Sequence, residues 1–241
     1  MSAAFARFAL AILCGAVGAG CGIVASHCHK DDAIVGQCAR LGMTVTLGLP
    51  LFFFLRILRE CEWRGARYPL ELLGVVLLAG WFFTHSALPA DEPGIVFFRW
   101  IFLLAALHLF AALAPYTSRN EGSGFWQYNR RVFLRFCLAT LYTVVLVGGL
   151  ELALLSADKL FELNLDRTYG DLFLLTVGCF HPTFFLAGVP RDFAALETEG
   201  HHPRGLKAFT PFALSPLVLV YGAILYAYAL KILFQRDWPH G

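Results

Sequence analysis

Apolar residues run along this chain in long blocks separated by short polar connections. Seven blocks reach or approach the length of about 20 residues that a helix needs to cross a bilayer. They are Phe8–Ser26, Ile34–Leu55, Leu70–Leu88, Ile95–Tyr116, Val132–Leu155, Tyr169–Val189 and Phe209–Phe234. The connections are rich in Gly, Pro or charge. The pattern predicts an all-α fold: one polytopic transmembrane helix bundle over residues 1–241, with about seven spans. Arg7 ahead of the first block gives it the look of a signal peptide. That block is long for a signal, lacks a clear small-x-small cleavage site, and is followed within a few residues by the next apolar run. It reads as a retained first span.

The distribution of Lys and Arg sets an orientation, because cytoplasmic loops carry the excess of both. With the N-terminus inside, the inner side holds Arg7, Arg56, Arg59, Arg64, Arg67, Arg119, Arg130, Arg131, Arg135, Arg191, Arg204 and Lys207. The outer side holds Lys30, Arg40, Arg99, Lys159, Arg167, Lys231 and Arg236, with several Asp and Glu among them. Twelve of the 19 basic residues thus fall inside, and seven spans bring the C-terminus outside. Trp63, Tyr68, Trp126 and Tyr128 lie beside the inner arginines, and Trp81, Trp100 and Trp238 near the outer face, as interfacial aromatic belts do.

Composition agrees with a lipid solvent. Hydrophobic residues make up 58% of the chain and charged ones 15%, where a soluble domain carries about 25% charged residues. A net charge of +2 gives no reason to expect nucleic acid. Seven Cys is an odd count, so at least one thiol is free or pairs between chains. Gly18 and Gly22 form a small-xxx-small pair in the first span, and Gly148 and Gly149 offer a similar handle in the fifth. Pro182 and Pro216 should each break a span by removing a backbone donor.

A resemblance rests on ordered segments from Gly124 onward. These are Gly124-Phe125-Trp126, Tyr128-Asn129-Arg130-Arg131, Phe185-Leu186-Ala187-Gly188-Val189-Pro190, Gly205-Leu206-Lys207 with Phe209-Thr210, Tyr226-Ala227-Tyr228 with Lys231-Ile232-Leu233, and Trp238-Pro239 with Gly241. Over residues 124–241 the chain resembles a bacterial membrane family, domain of unknown function four-one-five-three. The stretch around Leu49-Pro50-Leu51-Phe52 is similar but less distinctive. The resemblance implies a polytopic inner-membrane (plasma membrane) protein of bacteria and no particular chemistry. Members continue past the Trp-Pro segment, so a chain ending at Gly241 reads as a fragment or a short member. Pro211 departs from the polar residue expected there, and the Cys and His cluster near residue 28 is foreign to the family pattern.

Three constellations could carry chemistry. His27, Cys28, His29 and Asp31 lie in the first outer connection, with Cys14 and Cys21 at heptad spacing before them. Imidazole, thiolate and carboxylate suit zinc or copper. A Cys28–Cys38 disulfide, or small packing residues beside a solvated connection, explain the same residues. The second set is ionisable residues at membrane depth: Arg99, His108, Glu151, Asp171 and His181. Charge in hydrocarbon is costly, so such groups face the bundle interior, pair, or line a wet cavity. They outline an ion or proton path from an outward-facing polar vestibule, or else a structural pair with neutral, hydrogen-bonded imidazoles. The third is the inner set Asn129, Arg130, Arg131, Arg135, Arg204 and Lys207, fitted to anionic lipid headgroups or simply to a topology signal.

No Walker loop, dinucleotide fingerprint, nucleophile elbow or His-Glu-x-x-His motif occurs. No residue is assigned a catalytic role and no cofactor is implied. The sequence leads to a permease- or channel-like bundle. Its rivals are a non-catalytic scaffold or sensor subunit and a membrane enzyme acting on lipid headgroups. The expected partners are membrane lipids, other membrane helices or a homo-oligomer.

Overall fold

The computed structural model describes residues 2–29, 33–61, 70–86, 93–116, 122–161, 165–191 and residue 226. The chain forms two compact units, Met1–Glu197 and Thr198–Gly241. In the second, Tyr226 alone is described, in helical backbone. The expected seventh span, Phe209–Phe234, therefore lies outside the described residues.

The first unit is helical throughout its regular elements: α1 (Ser2–His27), α2 (Ala33–Cys61), α3 (Leu70–Ser86), α4 (Pro93–Leu113), α5 (Gly122–Phe161), α6 (Asp166–Leu175) and α7 (His181–Ala187). A 3₁₀ turn, Ala114–Tyr116, closes α4, and a π-helical turn, Thr176–Phe180, joins α6 to α7. Five helical stretches among the described residues are long and apolar enough to cross a membrane: Phe5–His27, Ala33–Cys61, Gly94–Tyr116, Gly124–Leu155 and Asp166–Ala187. The apolar part of α3, Leu70–Thr84, is shorter. Expected and observed boundaries differ most in α5. It begins ten residues before Val132, so residues 122–131, expected in an inner connection, are helix.

Burial shows how the helices are arranged. In α2, 56% of the most apolar window is buried, against 6% in α4. The central helix is α2, and it packs against α1, α3 and α4. The outward faces of α4 and α5 carry large exposed apolar side chains. Phe102 is 71% exposed, Leu109 67% and Val145 65%. Water would oppose such a surface, whereas lipid is a natural solvent for it.

Proline and glycine set the local geometry. Pro115 has no N–H, so the Ala111 carbonyl loses its intrahelical partner at the end of α4. The buried Tyr128 hydroxyl of α5 donates to that carbonyl at 3.2 Å, and Asn129 Nδ2 donates to Ala112 O at 3.2 Å. These two bonds, from a segment with the polarity of a loop, explain why α5 starts early. Pro182 likewise cannot donate to Gly178, and the helix relaxes there into the π turn. The Gly178 carbonyl meets Gly15 of α1 instead. A Cβ on either glycine would collide with the other's backbone. Gly15, rather than the Gly18/Gly22 pair, is therefore where α1 permits close backbone approach. Gly18 would meet a side-chain methyl of Val45 at an ordinary 3.4 Å, and Gly148 and Gly149 have nothing within 4 Å among the described residues.

Aromatic contacts fill the centre. The rings of Phe8 and Phe53 lie 5.7 Å apart, and those of Phe53 and Phe185 5.9 Å. Tyr128, Ile57 and Pro115 are completely enclosed.

Candidate functional site

A cavity of about 430 Å³ opens between α2, α4, α5 and α7. Its size suits a small organic molecule. Most of the lining is apolar: Pro50, Phe53, Phe133, Phe136, Phe185 and Leu186 contribute. Three polar side chains, His108, Asn129 and His181, interrupt it. Pro50 and Pro182 both line it, so two helices face it with prolines in place of backbone N–H donors.

Each polar group is oriented by a neighbour. His108 Nδ1 lies 2.7 Å from Leu104 O, one turn back on α4. A carbonyl only accepts, so Nδ1 carries the proton. In the neutral ring Nε2 then remains an acceptor. His181 Nε2 lies 3.2 Å from the Thr140 hydroxyl, and its ring stands edge-on to Phe136 with centroids 5.4 Å apart. Asn129 directs its amide hydrogens to Ala112 O and Phe125 O, at 3.2 and 3.0 Å. That fixes the flip of the amide and leaves Oδ1 as acceptor. The cavity can thus receive hydrogen bonds from a bound molecule while burying its apolar body.

The remaining expected site residues separate. Asp171 is not gathered with Glu151 and Arg99 but pairs with His27, whose Nε2 lies 2.8 Å from Asp171 Oδ2. The Ser26 hydroxyl approaches the other oxygen at 3.5 Å. One member of the suggested metal set and one of the suggested ion path thus join the end of α1 to the start of α6. Arg99 is exposed, and neither Arg99 nor Glu151 forms an ion pair among the described residues. No group of three His, Cys, Asp or Glu that could hold a metal forms among the described residues. Cys28 and His29 are described, while Asp31 lies outside the described residues. All seven cysteines carry free thiols, and the neighbour of Cys38 is Cys21 rather than Cys28.

Within the inner set, Arg135 Nη2 donates to Phe184 O at 2.6 Å, and its guanidinium stacks 4.2 Å over the Phe184 ring. A cation at the last carbonyls of α7 complements that helix end. The Nε of Arg130 is buried without a hydrogen-bond partner among the described residues. Arg131 is half-buried, and Arg204 and Lys207 lie outside the described residues.

Sequence reasoning missed a charged network at the same end of the bundle. Arg7, with 9% of its side chain exposed, forks onto Glu60 with Nε and Nη2 at 2.6–3.1 Å. It also donates to Val189 O at 3.0 Å and Pro190 O at 2.8 Å. Arg56 holds Glu60 at 2.9 Å, and Arg59 holds Glu71 at 3.1 Å. In the sequence, Arg7, Arg56 and Arg59 look only like topology signals. The Arg56–Glu60 spacing of four residues is the one clue to a pairing.

No curated protein matches the chain, and no solved structure matches it. A family model does, over residues 8–241, nearly the whole chain. The resemblance carried by the segments after Gly124 thus extends to the first span, and the chain belongs to the family described as Domain of unknown function (DUF4153).

Proposed function

We propose that this protein is a multi-pass bacterial inner-membrane carrier of permease type. It has seven spans, its N-terminus inside and its C-terminus outside. It binds a small, largely apolar molecule bearing a hydrogen-bond donor in the cavity between α2, α4, α5 and α7. The observation that carries this reading is the meeting of His108, Asn129 and His181 in one apolar cavity, beside Pro50 of α2 and the break at Pro182 between α6 and α7. A helix broken within its span is a recurring element of transport sites. The orientation draws support from the gathering of Arg7, Arg56 and Arg59 at one end of the bundle. The rival scaffold reading loses its motive, because Gly15, Gly18 and Gly22 of α1 face Gly178, Val45 and Leu174 of the same chain.

A carrier's cavity must reach water. With the seven native cysteines replaced by alanine, His181→Cys should react with a membrane-impermeant maleimide from the outer side of right-side-out vesicles. A thiol facing hydrocarbon stays protonated and inert. Labelling from the inner side alone would overturn the outward-facing vestibule. Absence of labelling from either side would overturn the carrier.

A further inference from the structure

A second cavity, of about 410 Å³, lies apart from the first, between α1 and α3. Both helices pack on α2, which floors the groove that separates them. One end of this groove is charged: Arg7, Arg56, Arg59 and Glu71 line it. Its body is apolar, with Leu10 and Ala11 from α1, Phe52 from α2, and Leu72 and Val75 from α3. Leu72 is 58% exposed and Val75 47%, so the apolar wall opens outward from the bundle.

Among the described residues the charges do not cancel: three guanidiniums face two carboxylates, Glu60 and Glu71. Arg7 is almost fully engaged, with bonds to Glu60, Val189 O and Pro190 O. Arg56 and Arg59 are less so. Arg56 uses Nε on Glu60 and Nη1, at 3.5 Å, on Glu71. Arg59 uses Nη1 alone, on both oxygens of Glu71. The Nη2 groups of both, and Nε of Arg59, have no partner among the described residues. Both side chains sit at the rim, about one-third exposed. The excess of one positive charge among the described residues, with unspent planar donors at the mouth of an apolar groove, complements a phosphodiester that carries a hydrocarbon tail.

We propose that the groove between α1 and α3 binds an anionic membrane phospholipid, its phosphate on Arg56 and Arg59 and one acyl chain along Leu10, Phe52, Leu72 and Val75. The site is distinct from the His108/His181 cavity and stands without the carrier reading. A bound lipid would bridge α1 and α3 by way of α2.

The test titrates the purified chain in detergent with dioleoyl phosphatidylglycerol and with dioleoyl phosphatidylcholine, counting bound lipid by native mass spectrometry. The parent should prefer the anionic lipid. Arg59→Gln should weaken that lipid about fivefold and leave phosphatidylcholine little changed. Val75→Trp fills the apolar wall without touching an ion pair and should weaken both lipids. It keeps the question open to decision if Arg59→Gln fails to fold. Millimolar inorganic phosphate should not displace the lipid. Equal binding of the two lipids by the parent would overturn the proposal. So would parental affinity in Val75→Trp, or displacement by inorganic phosphate alone.

Discussion

Arg7→Leu is expected to cost about 3 kcal/mol of stability, read as a large fall in the melting temperature of the detergent-purified protein. Arg7 has 9% of its side chain exposed, and its guanidinium ties α1 to two other parts of the bundle. It forks onto Glu60 at the end of α2 and caps the Val189 and Pro190 carbonyls just beyond α7. Leucine would fill some of the volume but remove the donor that Arg7 gives to both carbonyls and its hydrogen bonds to the half-buried Glu60 carboxylate. Unmade bonds of this kind cost more than made ones contribute. Arg56 still holds Glu60, which keeps the loss from being larger. Arg7→Lys should fall between parent and leucine variant, because an ammonium cannot reproduce the planar fork. The backbone accommodates the fork: α1 departs from helical angles at Phe8, with φ −127° and ψ 34°, directly after the arginine. Melting at the parental temperature by Arg7→Leu would show that the network contributes nothing.

The second large effect belongs to a glycine. Gly15→Leu should prevent α1 from seating against the π turn, at a cost of about 3 kcal/mol or more. A Cβ at Gly15 would run into the Gly178 carbonyl oxygen, and from the other side a Cβ at Gly178 would lie 2.7 Å from Gly15 O and from Ala19 Cβ. Backbone on both sides leaves nothing to rotate away. The comparison variants rank the effect. Gly22→Leu meets only the mobile end of Leu174, at 3.1 Å, and Gly148→Leu enters open space. Gly148→Leu should melt at or slightly above the parental temperature, since the side chain enters open space and a mid-helix glycine carries a helix-propensity cost. If Gly15→Leu and Gly148→Leu melt alike, the close approach of α1 to the π turn is wrong.

The two effects also mark where the sequence is informative. Apolar block length locates α1 and α4 to within a few residues, because crossing lipid is a demand on local composition alone. Pro182 is readable as a break, since a missing N–H acts wherever it sits. The π turn before it is not readable, because its place depends on what α1 offers opposite Gly178. The start of α5 is hidden for a related reason. Residues 122–131 are polar enough to pass for a loop, and only their bonds to the end of α4 make a helix worthwhile there. His108 and His181 both stand out at mid-span. Their convergence is invisible in sequence, since it requires knowing that α4 and α7 line the same cavity. Glu60 and Glu71 escape notice because the inner side is recognised by its positive residues, and carboxylates weigh little in that rule.

The most direct measurement is native mass spectrometry of the detergent-purified protein beside a His108→Ala/His181→Ala variant. If the cavity between α2, α4, α5 and α7 is a binding site, the parent carries a small organic mass that the double variant has lost. Arg59→Gln, which alters only the separate groove, should retain it. Identical bound masses in the parent and the double variant, with both proteins folded, would contradict the claim.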